Sequence, residues 1–217
     1  MAILHGLPKL NYNDSSFLMN NTLNENLESI LALEINDERK AVLQPLIEYI
    51  KSKREKQLPI LLNFICTHNS RRSQLSQIWA QTAADYFQLA AQCYSGGVEV
   101  TACNERTIAS LERMGFIVSK HGHSNPIYFV LHTEDSRPMI AFSKLHNDVI
   151  NPHRNFASVM TCSHADENCP YLPGADVRIP VRYEDPKAFD DTDQEAAMYD
   201  ERSRQIASEM FYVFSRV

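Results

Sequence analysis

One feature limits the possible folds of this chain more than any other. A nearly continuous apolar run, residues 58–65, leads directly into Cys-Thr-His-Asn-Ser-Arg-Arg-Ser at residues 66–73. An apolar run without polar alternation is typical of a parallel strand that is covered on both faces. After the polar loop, apolar side chains recur at helical spacing from Leu75 to Phe87. Strand, loop and helix in this order predict the start of a right-handed β-α-β unit.

The loop between this strand and helix carries a cysteine and an arginine with five residues between them, Cys66 and Arg72. Backbone N–H groups at the start of a helix point at one spot, and the helix dipole favours an anion there. The guanidinium of Arg72 adds a planar fork that matches a tetrahedral oxyanion. The same field favours the thiolate form of Cys66. The residues predicted to surround the oxyanion are Thr67, His68, Asn69, Ser70, Arg71 and Ser73.

The rest of the second part of the chain continues the alternation of strands and helices. A short strand is predicted near residues 92–95, a helix opens at Asn104, and a strand at residues 156–161 delivers Cys162. A final helix is predicted from Gln194 to about Ser215. This order is typical of right-handed crossovers in a doubly wound α/β sheet.

Two segments do not follow this alternation of strands and helices. Apolar runs flank residues 133–138 and predict an antiparallel hairpin inserted at about residues 126–144. Residues 1–56 predict an N-terminal helical extension, with a helix capped near Asn21 and a second one started by Asn36. We therefore expect an extension at 1–56 and a catalytic domain at 57–217.

Composition and charge exclude several classes of protein. The 217 residues carry a formal net charge of −6, which argues against a broad nucleic-acid surface. No stretch approaches the roughly 20 apolar residues that span a bilayer, and residues 1–9 lack the pattern of a signal peptide. The odd number of unevenly spaced cysteines does not fit a disulfide framework. We expect a cytoplasmic protein that binds neither nucleic acid nor membrane.

The segment Phe64–Gln74 resembles the active-site loop of low-molecular-weight protein tyrosine phosphatases. It is more similar still to the thioredoxin-coupled arsenate reductases built on the same fold. Residues 94–97 resemble the family's short Ser-Ala-Gly element, residues 162–170 are similar to the reductases' redox segment, and Asp185-Pro186 matches the family's Asp-Pro. These segments occur in family order over about residues 58–217, so the resemblance implies a mainly parallel four-stranded sheet.

The resemblance implies an arsenate reductase with a three-cysteine relay. Arsenate would dock on the loop and Arg72, Cys66 would attack arsenic, and Asp185 would protonate the leaving group. Cys162 would then attack Cys66 and release arsenite, and Cys169 would carry the disulfide to thioredoxin. The polar residues between the last two cysteines favour a mobile loop. No cofactor is implied, and we expect no metal, because two cysteines seven positions apart do not fit the usual zinc spacing.

Two departures and two alternatives accompany this interpretation. The family usually has glycine at the position of His68 and often cysteine at the position of Arg71, where this chain adds a positive charge. Asn69 and Ser73 are expected to hold the loop. One alternative is a phosphatase that hydrolyses phosphate monoesters without the two later cysteines. The other is a redox-sensing or oxyanion-binding module, in which a reactive cysteine and a resolving cysteine oxidise reversibly.

Overall fold

A computed structural model describes residues 19–168 and 172–217. No helix in these two ranges has the length and apolar character needed to cross a membrane. In chain order the elements are α1 (Asn21–Leu31), α2 (Asp37–Glu55), β1 (Ile60–Cys66), α3 (Arg72–Tyr86), β2 (Ala91–Gly97), α4 (Glu105–Met114), β3 (Ile117–His121), β4 (Ile127–Leu131), β5 (Met139–Ala141), β6 (Phe156–Met160), α5 (Ser163–Asn168), β7 (Ala175–Pro180), a 3-10 helix (Pro186–Phe189) and α6 (Glu195–Ser215).

Four strands form a parallel sheet in the order β2-β1-β6-β7. The chain moves from β1 to one side to form β2, and later forms β6 and β7 on the other side of β1. This reversal is the doubly wound topology that the sequence predicts, so the predicted fold class is confirmed. The turning point lies between β1 and β6, where ligands of such sheets bind next to the carboxyl ends of the strands.

A second sheet has three antiparallel strands in the order β3-β4-β5. Strands β4 and β5 form the hairpin that two apolar runs predict. Strand β3 was not predicted, because most of its side chains are exposed and its sequence therefore shows no buried alternation. It follows Gly115, whose left-handed φ of 105° ends α4. A Cβ at Gly115 would stand 2.5 Å from the backbone nitrogen of Leu23, so α1 packs directly on this turn.

The two N-terminal helices begin where asparagine side chains cap them. Asn20 accepts a hydrogen bond from the N–H of Leu23 at 3.0 Å, and Asn36 accepts one from the N–H of Arg39 at 2.8 Å. Helix α2 continues without interruption through Pro45. The buried sides of α1 and α2 join the same hydrophobic cluster as the sheet and α6, through Leu23, Leu27, Ile30, Leu43, Leu46, Ile47 and Ile50.

Candidate active site

The predicted functional residues meet at one edge of the parallel sheet. Strand β1 ends at Cys66, β2 ends at Gly97, Cys162 follows β6, and Asp185 follows β7. The carboxyl ends of parallel strands lie at the same edge, so residues distant in sequence become neighbours there. Of the three cysteines of the predicted relay, Cys66 and Cys162 lie at this edge, while Cys169 lies outside the described residues.

The sulfur of Cys66 is buried and bonded to a hydroxyl. Its Sγ lies 3.0 Å from Oγ of Ser73, which in turn accepts a hydrogen bond from the side-chain amide of Asn69 at 2.8 Å. Because the Ser73 oxygen accepts from Asn69, the Ser73 hydrogen is free to point at the sulfur. A thiolate at Cys66 would thus receive a hydrogen bond. Asn69 reaches this position with a left-handed φ of 48°, which asparagine tolerates better than most residues.

The loop turns its carbonyl groups outward. The carbonyls of Thr67, His68 and Ser70 accept hydrogen bonds from Val98 N–H (2.8 Å), Ser143 Oγ (2.8 Å) and Asn104 N–H (3.0 Å). Within the described part of the chain, no backbone N–H of residues 67–71 has a hydrogen-bond acceptor. These N–H groups are therefore available to an anion that sits above Cys66.

Support for the loop also comes from residues that sequence reasoning missed. The N–H of Lys144 donates to Oδ1 of Asn69 at 3.1 Å, and the side-chain amide of Gln74 donates to the Asn69 carbonyl at 2.9 Å. The Lys144 side chain is itself only 3% exposed, and burial lowers its pKa to about 8. Its position just after the hairpin gave no signal of a role, because only the fold brings this segment to the loop.

Asp185 bridges two arginines. Its Oδ2 lies 2.7 Å from Nη2 of Arg72 and its Oδ1 lies 2.8 Å from Nε of Arg71, while Oδ1 also accepts from the N–H of Lys187 at 3.1 Å. Arg72 donates a further bond to the Tyr183 carbonyl at 3.1 Å. Burial alone would raise the pKa of Asp185, but the charges of Arg72 and Arg71 outweigh it and lower the pKa below its ordinary value. In this arrangement Asp185 is an ionised carboxylate.

Cys162 lies against the same loop. Its side chain is 1% exposed, and its Sγ lies 3.5 Å from Oγ1 of Thr67 and accepts the N–H of Ala165 at 3.4 Å. The prediction of a loop after Cys162 was wrong for residues 163–168, which form helix α5. The reason is tertiary: Asp166 accepts hydrogen bonds from Arg178 (2.9 Å) and Arg182 (2.8 Å) and so fastens this turn to the end of the sheet.

The remaining candidates take other positions. Nε2 of His68 lies 3.3 Å from a carboxylate oxygen of Glu99 at the exposed rim of the loop. Cys93 and Cys103 are buried free thiols, and burial raises the pKa of both, that of Cys103 to about 12. Such cysteines pack as small apolar side chains. Among residues 19–168 and 172–217, no three His, Cys, Asp or Glu side chains gather as a metal ion would require.

Comparison with known proteins identifies curated relatives. The chain is 30% identical over 124 residues to arsenate reductase 2 of Staphylococcus epidermidis, covering 57% of this chain and 76% of the relative. It is 35% identical over 112 residues to an arsenate reductase of Staphylococcus aureus, covering 51% of this chain and 66% of the relative. No protein-family model matches the chain.

Comparison with solved structures gives more distant matches. A low-molecular-weight phosphotyrosine phosphatase from Vibrio cholerae matches with a TM-score of 0.47 and 13% identity, over 71% of this chain and 93% of the other. A thioredoxin-dependent arsenate reductase from Corynebacterium glutamicum matches with a TM-score of 0.40 and 16% identity, over 88% of this chain and 84% of the other.

Proposed function

This chain belongs to the arsenate reductase family, and from that premise we propose that it reduces arsenate to arsenite with Cys66 as the nucleophile. The observation that carries the proposal is the position of Cys162, whose sulfur lies 3.5 Å from the Thr67 hydroxyl on the loop of Cys66. Hydrolysis of a phosphate ester needs no second thiol there. A reductase needs one, because a thiol must remove the sulfur of Cys66 from arsenic.

In the first step the loop N–H groups and Arg72 would bind arsenate, and the thiolate of Cys66 would form a bond to arsenic. Arg72 forms an ion pair with Asp185, so arsenate must compete with that carboxylate. Once the anion attracts Arg72, Asp185 loses part of the positive field that keeps it ionised, and it takes up a proton more readily. It can then protonate the hydroxide that leaves arsenic.

In the second step Cys162 would attack the sulfur of Cys66. A bond between the two sulfur atoms forms, the bond from sulfur to arsenic breaks, and its electron pair stays on arsenic. As(V) thereby becomes As(III) and leaves as arsenite. Cys169 would next attack the sulfur of Cys162, which forms a Cys162–Cys169 disulfide, breaks the Cys66–Cys162 bond and releases Cys66 as a thiolate. Helix α5 begins directly after Cys162, so transfer of the disulfide requires this helix to move.

Thioredoxin is the reductant that we propose for the final disulfide, because a dithiol partner can exchange with a pair of cysteines in one protein. We also propose that the protein works in the cytoplasm. The relay needs free thiols at the start of each cycle, and a reducing compartment keeps them so. The steps that precede thioredoxin use thiols, a carboxyl group, arginines and backbone N–H groups of this chain, and the substrate is an oxyanion.

Hydrolysis of phosphate monoesters is the second candidate function, since Cys66, Arg72 and Asp185 alone could support it. Phosphatases of this kind place aromatic rings beside the Asp-Pro to stack on the substrate. Here the aromatic residue that comes just before the Asp-Pro segment, Tyr183, is only 5% exposed and lies under the guanidinium of Arg39 at 4.7 Å. A ring in that position cannot stack on an incoming ester, which favours the reductase.

The test is consumption of NADPH when arsenate is added to the protein with thioredoxin and thioredoxin reductase. Cys162→Ser should abolish arsenate-dependent consumption and leave hydrolysis of an aryl phosphate unchanged, whereas Cys66→Ser should abolish both. Cys93→Ser serves as a control, because this buried thiol lies on β2 away from the loop. Steady aryl phosphate hydrolysis by the unmodified protein, with no arsenate-dependent consumption, would establish a phosphatase instead.

A further inference from the structure

The hydroxyl of Thr67 connects two side chains of the redox segment. Its Oγ1 lies 3.5 Å from Sγ of Cys162 and 3.2 Å from Nδ1 of His164. The Cys162 thiol can donate to the Thr67 oxygen while the Thr67 hydrogen points at Nδ1. After a double proton shift, the protonated imidazole donates to Thr67, and Thr67 donates to the thiolate. Both states keep every hydrogen bond of the chain.

Because Cys162 is buried, the hydrogen bonds through Thr67 give its thiol a route by which the proton can leave. Its side chain is 1% exposed, so bulk water cannot take its proton directly. His164, by contrast, is exposed and can release a proton to solvent. The N–H of Ala165, 3.4 Å from the sulfur, would stabilise the thiolate that remains. A thiolate is the form that attacks another sulfur.

We propose that His164 accepts the proton of Cys162 through the Thr67 hydroxyl and so prepares Cys162 for its attack on Cys66. The inference deepens the proposed function and rests on it. His164 touches neither the substrate nor the reacting sulfur atoms, and it is therefore a positioning residue. In the step itself the proton moves to His164 and then to water, the thiolate forms a disulfide with Cys66, and arsenic leaves with the electron pair of its bond to sulfur.

Several ionisable groups surround this chain of hydrogen bonds. Cys66 shares a cluster of buried residues with Cys162, and His68 stands on the same loop as Thr67. On the other side lie Arg182 and the acidic residues of α5, Asp166 and Glu167. A change in the pH dependence of attack is therefore assigned to His164 only if it depends on the residue at position 164.

The experiment measures attack by Cys162 as a function of pH in the Cys169→Ser background, where the disulfide stays between Cys66 and Cys162. Hydrogen peroxide first converts Cys66 to a sulfenic acid, and Cys162 then attacks it with release of water. Dimedone competes for the sulfenic acid, so the ratio of disulfide to dimedone adduct gives the rate of attack. Mass spectrometry of the peptides reads that ratio. In a second set of measurements, arsenate replaces hydrogen peroxide, and formation of the Cys66–Cys162 disulfide is again followed as a function of pH.

His164→Asn keeps a hydrogen-bond acceptor near the position of Nδ1 but cannot take up a proton. At pH 7 we expect it to slow attack by about 100-fold and to change how the rate of attack depends on pH. Thr67→Val should give a similar loss, and adding His164→Asn to it should give no further loss. His123→Asn, a change at an exposed histidine of the turn between β3 and β4, is the matched control and should keep the original profile.

A His164→Asn protein with the rate and pH profile of the His123→Asn protein would overturn the inference. So would equal, additive losses from His164→Asn and Thr67→Val. The peroxide series separates this result from a failure of the proposed function. If arsenate starts no disulfide formation but peroxide does, the reductase proposal fails while the role of His164 is still decided by the peroxide profiles.

Discussion

At the scale of single residues, the charges around Asp185 set the chemistry of the site. The Asp185 carboxylate forms ion pairs with the guanidinium groups of Arg71 and Arg72, each at less than 3 Å. Arg72 belongs to the anion-binding pattern, whereas Arg71 is an addition that holds the second oxygen of Asp185. If an anion binds Arg72 as proposed, Arg71 would still hold Asp185 at the mouth of the loop. The same contact opposes protonation of Asp185. Arg71 therefore both fixes the orientation of this carboxylate and lowers its affinity for a proton.

Arg71→Gln should reduce the free energy of unfolding at pH 7 by about 1 kcal/mol and make stability less sensitive to acid. The lowered pKa of Asp185 gives stability that is complete above its ordinary value near 4 and is lost as pH falls through the folded value. Without Arg71 the pKa moves back towards the ordinary value and this loss becomes smaller. Urea unfolding at pH 7 and pH 3 measures the free energy of unfolding that is lost between the two pH values. Arg113→Gln, which breaks the more exposed pair with Asp200, is the control.

Lys144→Met should stabilise the protein at pH 7 by on the order of 2 kcal/mol, with a gain that shrinks above pH 9. Burial lowers the pKa of Lys144 from 10.5 to about 8, so the unfolded chain holds this proton more tightly than the folded one. Stability of the unmodified protein therefore rises with pH between about 8 and 10.5. Thermal unfolding at pH 7 and pH 9.5 tests this. Lys120→Met, at an exposed lysine, should show no such trend; a Lys144→Met protein less stable at pH 7 would contradict it.

At the scale of elements, α5 is a short helix that would have to move in the proposed disulfide relay. Six residues close too few internal hydrogen bonds to hold a helix in water, so its order depends on contacts with the rest of the fold. Asp166 supplies them through Arg178 and Arg182, the first on β7 and the second just beyond it. Ala165 of the same helix belongs to the buried cluster of Cys66, and His164 lies 3.2 Å from the Thr67 hydroxyl, so movement of α5 must break these contacts as well. The proposed exchange of a Cys66–Cys162 disulfide for a Cys162–Cys169 disulfide would need that movement.

Asp166→Asn should loosen α5 alone. Because a neutral amide binds the two arginines more weakly than a carboxylate, we expect amide hydrogen exchange in residues 163–168 to become about tenfold faster. Exchange in β1 and α3 should stay unchanged. Asp200→Asn removes a carboxylate of a surface pair with Arg113 and should leave exchange in α5 as it was. Hydrogen exchange read by mass spectrometry checks both variants; unchanged exchange in α5 would show that other contacts hold it.

At the scale of the whole molecule, the N-terminal helices and the sheet share one hydrophobic core. Leu23 and Leu46 have no exposed surface, and both belong to the cluster that contains Trp79 and Phe64. Asn26 on α1 donates to the carbonyl of Met114 at 3.2 Å, which satisfies the end of α4. Of the predicted extension 1–56, residues 1–18 lie outside the described residues, and we propose that residues 19–56 complete the core of the catalytic part, 57–217.

Leu46→Ala should therefore lower the stability of the whole protein by about 2–4 kcal/mol and keep a single unfolding transition. Val42→Ala on the same helix is the matched control, since Val42 is 37% exposed and should lose less than about 1 kcal/mol. Circular dichroism and loss of activity on heating should shift together for Leu46→Ala. If the activity of the Leu46→Ala protein survives to the original temperature, the extension folds independently of the site.

Much of this molecule could be predicted from local patterns. The strand before Cys66, the caps at Asn36 and the hairpin at β4 and β5 each depend on neighbouring residues, and each is present. Exposed β3 and six-residue α5 escaped prediction, because their order comes from packing and from the contacts of Asp166. The support that Lys144 gives to Asn69 joins positions 75 apart in sequence, which no local pattern can indicate.

The sequence by itself determined which reactive groups the site contains. A cysteine and an arginine at fixed spacing follow one buried strand, and a second cysteine follows another buried strand. Only the tertiary structure decided which groups those residues meet. The parallel sheet brings the ends of β1, β6 and β7 to one edge, so Asp185 closes on Arg71 and Arg72, and Thr67 comes between Cys162 and His164. Local sequence sets the backbone conformation that a segment prefers and the reactivity of its side chains. The register and order of the strands set the distances between side chains that are far apart in sequence.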